Sequence, residues 1–236
     1  MSHDAPAGAP KRPPVRIAAL AYLGTIAFGL FAEVGTRSGL DRSDPQALAA
    51  SLRAGEDLFR LGVVSDLAML ACYLVVTAVF YAAFRPYSRS LSAAAAVFSL
   101  TGIAVLAVGL VNLIAPLVIL NQAPGLTDQA DLAALFLMLH GRGYTISLAF
   151  FGVYCLMIGW LVVRSRLIPA WVGLLMGFAG ACYLLNSLRV LLELPLPGGL
   201  ADYILLPGLV GEGAISLWLL ARGLNAQAWS RLNARD

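Results

Sequence analysis

LSAAAAVFSLTGIAVLAVGLVNLIAPLVIL, from Leu91 to Leu120, runs for thirty residues without one charged side chain. About 20 apolar residues suffice to cross a hydrocarbon core of about 30 Å as a helix. Lipid offers no partners for backbone N–H and C=O groups, so a single span must pair them internally, and a helix does. Five further apolar runs flank this one: Ile17–Val34, Phe59–Phe84, Leu132–Val163, Ile168–Leu192 and Tyr203–Ala221, each of 18 residues or more. The fold expected is therefore all-α, a polytopic membrane bundle of six transmembrane helices.

Composition agrees with the pattern. The 236 residues are 60% hydrophobic and only 12% charged, with a mean hydropathy of +0.82. Soluble domains carry roughly a quarter charged residues. Residues 1–16, rich in proline, alanine and arginine, read as a disordered cytoplasmic tail. Residues 17–222 form the transmembrane domain, and 223–236 a cytoplasmic tail. Lys11, Arg12 and Arg16 before the first run resemble the start of a secretory signal. No small-x-small cleavage site follows, so that run reads as an uncleaved span.

Arginine placement predicts the threading. With the N-terminus in the cytoplasm, ten of the sixteen basic residues fall inside, including Arg85, Arg89, Arg164, Arg166 and Arg222. Only Arg37, Arg42 and Arg53 fall in the outer connections. By the positive-inside rule both termini are cytoplasmic. The long first outer connection, residues 35–58, carries Asp44 before Pro45, a good N-cap and first-turn pair. Leu48, Leu52 and Phe59 then share roughly one helical face, which predicts a short amphipathic helix on the outer bilayer surface or lidding the bundle.

Ionisable groups inside spans cost about 2.5–3.5 kcal/mol each on insertion scales, so their positions are informative. Glu33, Arg60, Asp66, His140, Arg142, Arg189, Glu193 and Glu212 lie within or at the ends of the runs, joined by Asn112, Tyr144, Ser147 and Asn186. At about 1.5 Å per residue from the cytoplasmic ends, Glu212 stands about 13 Å up, near mid-membrane. Glu33, Asp66 and His140 come out at about 24, 27 and 34 Å on the same count. The polar set thus occupies the outer half. His140, Tyr144 and Ser147 share one helix face, as do Asn186, Arg189 and Glu193. We expect a polar pocket open to the outside with Glu212 at its floor. The alternative reading of the same residues is a buried ion-pair network that fixes helix register.

Other residue types narrow the chemistry. Lys11 is the sole lysine, so an intramembrane Schiff base is excluded. His3 and His140 are the only histidines, too few for a bis-histidine haem or a three-histidine metal site. Cys72, Cys155 and Cys182 sit singly in separate runs and read as small buried hydrophobes. No phosphate loop, H-E-x-x-H or G-x-S-x-G pattern occurs. No metal, cofactor or nucleic-acid partner is implied; the partners expected are the lipid bilayer and an amphipathic small molecule. Gly173-x-x-x-Gly177 with Gly180 marks a face for close helix approach, as Gly208, Gly211 and Gly213 do on the last run.

At Glu56–Asp66 (EDLFRLGVVSD), at His140–Tyr144 (HGRGY), and through Phe150–Leu185 with its Arg164-Ser-Arg-Leu-Ile-Pro169 turn, the chain resembles a bacterial family. It is similar to the six-span membrane proteins grouped as domain of unknown function 4386, over nearly all of Arg16 to Gly223. The resemblance implies a multi-pass protein of the bacterial inner (plasma) membrane and carries no activity. Its polar signatures are Arg60, Asp66, His140, Tyr144 and Glu212, without assigned roles.

Three functions compete. In a binding bundle, Arg60, Arg142 and Arg189 hold an anionic head group, arginine being suited to bidentate contacts. Tyr144, Asn112, Asn186, Glu33 and Glu193 complete that site, and an isoprenoid or lipid-like tail lies between helices. In an intramembrane, metal-independent acid/base enzyme of hydrolase, isomerase or isoprenoid cyclase type, Glu212 or Asp66 is the acid and His140 the base. A transporter needs a polar path through the inner half, where no charged group lies, and the six runs show no three-plus-three repeat.

Overall fold

The computed structural model describes residues 12–123, 125–195 and 199–234; the expected N-terminal tail lies mostly outside them. Among the described residues all regular structure is helical. α1 (Val15–Leu30) continues as a π-helical stretch, Phe31–Arg37. α2 (Pro45–Ala54), α3 (Glu56–Phe84), α4 (Arg89–Gln122), α5 (Gln129–Ser165) and α6 (Ala170–Leu191) follow. The chain then forms α7 (Leu200–Tyr203), α8 (Leu206–Ala221) and α9 (Ala226–Asn233).

Five helices are long and apolar enough to cross a membrane: α1 with its π-helical extension, α3, α4, α5 and α6. The sixth apolar run is continuously helical only from Leu206, with the short α7 before it. Pro207 stands in the first turn of α8, where its missing N–H is tolerated, and α7 stops short of it. α8 has 16 residues, a rise of about 24 Å, against a hydrocarbon core of about 30 Å. Around the outside, large apolar side chains face away from the protein: Val108 is 71% exposed, Leu174 66% and Phe178 60%. Such a surface suits lipid, since a water-soluble monomer rarely shows contiguous apolar area on this scale.

Neighbouring spans run antiparallel. Ser65 Oγ donates to the Phe28 carbonyl while the Tyr22 ring meets Phe80, so α1 and α3 cross in opposite senses. The Thr77 and Ser99 hydroxyls, 2.7 Å apart, join α3 to α4. Phe98 meets Phe150 between α4 and α5, and Ser187 Oγ donates to the Thr145 carbonyl between α6 and α5. Trp171 meets Trp218 edge-on between α6 and α8. Backbones of α5 and α6 approach closely. A Cβ on Gly159 would lie 2.6 Å from the Gly173 carbonyl oxygen, and one on Gly180 would lie 2.6 Å from that of Gly152.

Two short helices close the ends. Asp44 Oδ1 accepts from the Ala47 N–H at 2.8 Å and Pro45 occupies the first turn of α2, whose Leu48, Ala49 and Leu52 are buried against α3, α4 and α5. At the other end Gly223, at φ +67°, turns the chain out of α8. Asn225 caps α9 through Gln227 and Ala228, and Leu224, Ala228 and Trp229 are buried in the core. The segment read as a C-terminal tail is thus helical and docked as far as Asn233; residues 235 and 236 lie outside the described residues.

Candidate functional site

A cavity of about 450 Å³ lies between α1, α3, α4, α5, α6 and α8. Helical spacing builds its walls. On α3, Asp66, Met69, Leu70 and Tyr73 form one stripe; on α5, Leu137, His140, Tyr144, Ser147 and Phe151 form another. Leu106, Leu110 and Leu113 of α4 supply a wholly apolar wall. Polar side chains therefore gather at two levels with hydrocarbon between them.

The mouth is organised by Arg37. Its Nη1 and Nη2 reach Asp66 Oδ2 and Oδ1 at 2.6 and 3.3 Å, and its Nε reaches Glu33 Oε2 at 3.0 Å. Arg37 is only 6% exposed, whereas the Glu33 side chain is 61% exposed. The π-helical turn widens α1 and turns Arg37 inward, and Gly62 makes this possible because a Cβ there would collide with Thr36. Two carboxylates share one guanidinium, and Arg42 adds a second positive charge to the cavity wall. His140 Nδ1 lies 3.1 Å from the Gly109 carbonyl oxygen. A carbonyl can only accept, so Nδ1 donates; in the neutral ring Nε2 is left as an acceptor.

The floor is a carboxyl held by phenols. Glu212 of α8 is 5% exposed. Tyr183 Oη of α6 donates to its Oε1 at 3.0 Å, and Tyr73 Oη of α3 is shared between Oε1 and Oε2 at 3.3 and 3.4 Å. Gly208 leaves room for the Tyr183 ring, which a Cβ there would strike. Tyr73 in turn stacks on Phe151, with ring centroids 4.8 Å apart. Nearby, the Tyr22 and Tyr154 hydroxyls are buried with no hydrogen-bond partner among the described residues.

Of the residues selected from sequence, Glu33, Asp66, His140, Tyr144, Ser147 and Glu212 line this cavity. Arg60, Arg142, Arg189, Asn112, Asn186 and Glu193 do not. Arg60 lies on an outward face of α3 and pairs with Glu56, which also accepts from Asn121 of α4. Arg142 donates to the Val190 carbonyl at 3.0 Å and stands 4.0 Å from Glu193, joining α5 to α6. Arg189 donates to Asn186 on its own helix. Common spacing placed Asn186, Arg189 and Glu193 on one helix face but left open which way that face points. Arg37, Arg42, Tyr73 and Tyr183 also line the cavity and were not selected as site residues from the sequence. Arg37 lies one turn beyond Glu33, Tyr73 lies i+7 from Asp66, and Tyr183 lies i−3 from Asn186, so the same periodicity carried the signal. Among the described residues no cluster of three or more His, Cys, Asp or Glu side chains could hold a metal ion.

Fold and site together define an all-helical membrane-type protein with a largely apolar cavity between its helices that carries polar groups at two levels. Residues 17–223 match a family described as Domain of unknown function (DUF4386), and the chain belongs to that family. No curated protein and no solved structure matches the chain.

Proposed function

We propose that this protein binds an amphipathic, isoprenoid or lipid-like small molecule in the cavity between α1, α3, α4, α5, α6 and α8. In this reading it is a six-span protein of the bacterial inner membrane with both termini in the cytoplasm. The sixth crossing is made by α7 and α8 together, and α2 lies at the outer surface over the bundle. The gathering of Arg85, Arg89, Arg164, Arg166 and Arg222 at one end supports that orientation.

The observation that carries the binding reading is the order of chemistry along the cavity. Arg37, Arg42, Glu33, Asp66 and His140 stand at the mouth, leucine and methionine follow, and Glu212 lies at the floor. A polar head group meets donors and acceptors at the mouth, while the apolar body replaces lipid contacts with leucine contacts. Because Arg37 is already shared by two carboxylates, the head group best suited is polar with little net charge. Arg42, Glu33 Oε1 and His140 Nε2 are the groups left to recognise it.

The test is mass spectrometry of the gently solubilised protein beside Arg42→Ala and Met69→Trp, the second filling the cavity. A single compound retained by the wild type and lost from Met69→Trp supports the site. Bulk phospholipid alone, identical in all three, refutes it.

A second reading, acid/base catalysis, is favoured by one feature. Glu212 has tyrosine partners and no cation within ion-pair distance among the described residues. Both Asp66 oxygens are engaged by Arg37, so the acid in this reading is Glu212 and the base His140. Chemical alteration of the retained compound by the wild type, abolished in Glu212→Gln with retention intact, supports catalysis.

A further inference from the structure

The end of the bundle away from Arg37 carries a second cavity, of about 630 Å³, between the α5–α6 turn and the α8–α9 turn. Both turns have fixed shapes. Arg166 ends α5 in the left-handed region at φ +59°, and Gly223 does the same after α8 at φ +67°. The Asn225 N–H donates to the Leu167 carbonyl at 2.9 Å, stapling one turn to the other. Buried Leu224, Ala228 and Trp229 then hold α9 against the bundle.

Arg166 and Arg222 line this crevice from its two sides. Neither has a carboxylate within ion-pair distance among the described residues. The sequence supplies none nearby: no Asp or Glu occurs between Asp131 and Glu193, or between Glu212 and Asp236, which lies outside the described residues. The start of α6 borders the crevice at Pro169 and has no side-chain cap, which adds backbone N–H groups of the same polarity. The third character of the wall is aromatic. Trp218 lines it and packs edge-on with Trp171, 6.1 Å between centroids, and tryptophan pairs of this kind favour head-group depth in a bilayer.

We propose that this crevice is a binding site for the phosphate diester of an anionic glycerophospholipid. Two guanidinium forks facing one cavity match the geometry of phosphate oxygens. A lipid fits better than a free anion because the crevice adjoins the outward apolar face of α6, where Leu174 and Phe178 are exposed and acyl chains can lie. Basic pockets between helix ends are a known means of selecting such head groups. Orientation alone accounts for arginines at this end, as on the α3–α4 turn, but not for two of them lining one stapled cavity. The site is separate from the cavity below Arg37 and does not depend on what that cavity binds.

The experiment compares the full-length wild type, R166Q/R222Q and R85Q/R89Q in phosphatidylcholine nanodiscs containing a minor share of phosphatidylglycerol. Native mass spectrometry counts the phosphatidylglycerol retained on release. The R85Q/R89Q variant removes the same charge from the same end but outside the crevice. Wild type and R85Q/R89Q should retain phosphatidylglycerol, and R166Q/R222Q should lose it by roughly tenfold or more, the effect of one lost charge-assisted pair. Helical circular dichroism equal to wild type shows that R166Q/R222Q is folded; if it is not, R166K/R222K, which keeps charge without the forks, must show the loss instead. Equal loss in both glutamine pairs, or no enrichment of phosphatidylglycerol over phosphatidylcholine in the wild type, overturns the site. Displacement of the lipid by inorganic phosphate at matched concentration overturns the lipid as its occupant.

Discussion

Arg37 carries its guanidinium into a region where 6% of the residue is exposed and where two carboxylates wait for it. Removing a partner from such a buried pair leaves an unpaired charge, at a cost of about 3–5 kcal/mol. Arg37→Met should therefore lower stability in detergent by about that amount, read from the denaturation midpoint. The double variant Arg37→Met with Asp66→Leu should recover much of the loss, because both desolvated charges are gone. Additive losses would show that the pair is not coupled. Arg60 offers the contrast: its pair with Glu56 is 49% and 28% exposed, and Arg60→Ala should change stability by less than about 1 kcal/mol. At Glu212 the shorter bond, from Tyr183, should matter more than the shared one from Tyr73. Tyr183→Phe should cost roughly 1 kcal/mol and Tyr73→Phe less, in the same assay. The carboxylates were legible in the sequence because charge inside a span is expensive. Their partners were not, since a tyrosine in an apolar run is ordinary, and Arg37 stands three residues past Val34, where the hydropathy boundary fell. Only the π-helical turn brings it back into the bundle.

The α5–α6 pair shows the same division between elements. Sequence picked out Gly173, Gly177 and Gly180 as a face for close approach, but small residues alone do not say which of them the neighbour touches. A Cβ on Gly180 would meet the Gly152 carbonyl oxygen at 2.6 Å, and one on Gly173 the Gly159 carbonyl oxygen at 2.7 Å, whereas one on Gly177 meets nothing within 4 Å. Gly173→Ala and Gly180→Ala should thus force the backbones apart and cost about 1–3 kcal/mol each. Gly177→Ala should be neutral or slightly stabilising, as alanine favours the helix by roughly 1 kcal/mol over glycine. Thermal denaturation of the three variants separates contact from mere membership of the motif. The long spans were legible because twenty apolar residues in lipid permit little else. The late start of the helix in the last run, α8 at Leu206 with Pro207 in its first turn, was less so, because the run's hydropathy is continuous from Tyr203.

For the molecule as a whole, the short α8 makes the number of crossings the decisive quantity. Five crossings would put the two termini on opposite sides of the membrane; six put them on the same side. The antiparallel packing of α8 on α6, with Trp218 against Trp171 and Asn225 bonded to Leu167, brings the end of α8 to the end of the bundle where α5 finishes and α6 begins. Arg85, Arg89, Arg164, Arg166, Arg222 and Arg231 flank the helix ends there, with no described carboxylate on those turns. Translocating all of them is disfavoured, so α9 should face the cytoplasm although α8 is shorter than the hydrocarbon core. Cysteine labelling reads this directly, in a background where Cys72, Cys155 and Cys182 are replaced by alanine. Asp41→Cys, in the connection before α2, should react with a membrane-impermeant maleimide in intact spheroplasts. Ser230→Cys, exposed on α9, should react only after the membrane is opened. Reaction of both from outside would mean that α7 and α8 turn back without crossing; the α5–α6 and α8–α9 turns would then lie on opposite sides and the arginine crevice between them would not form.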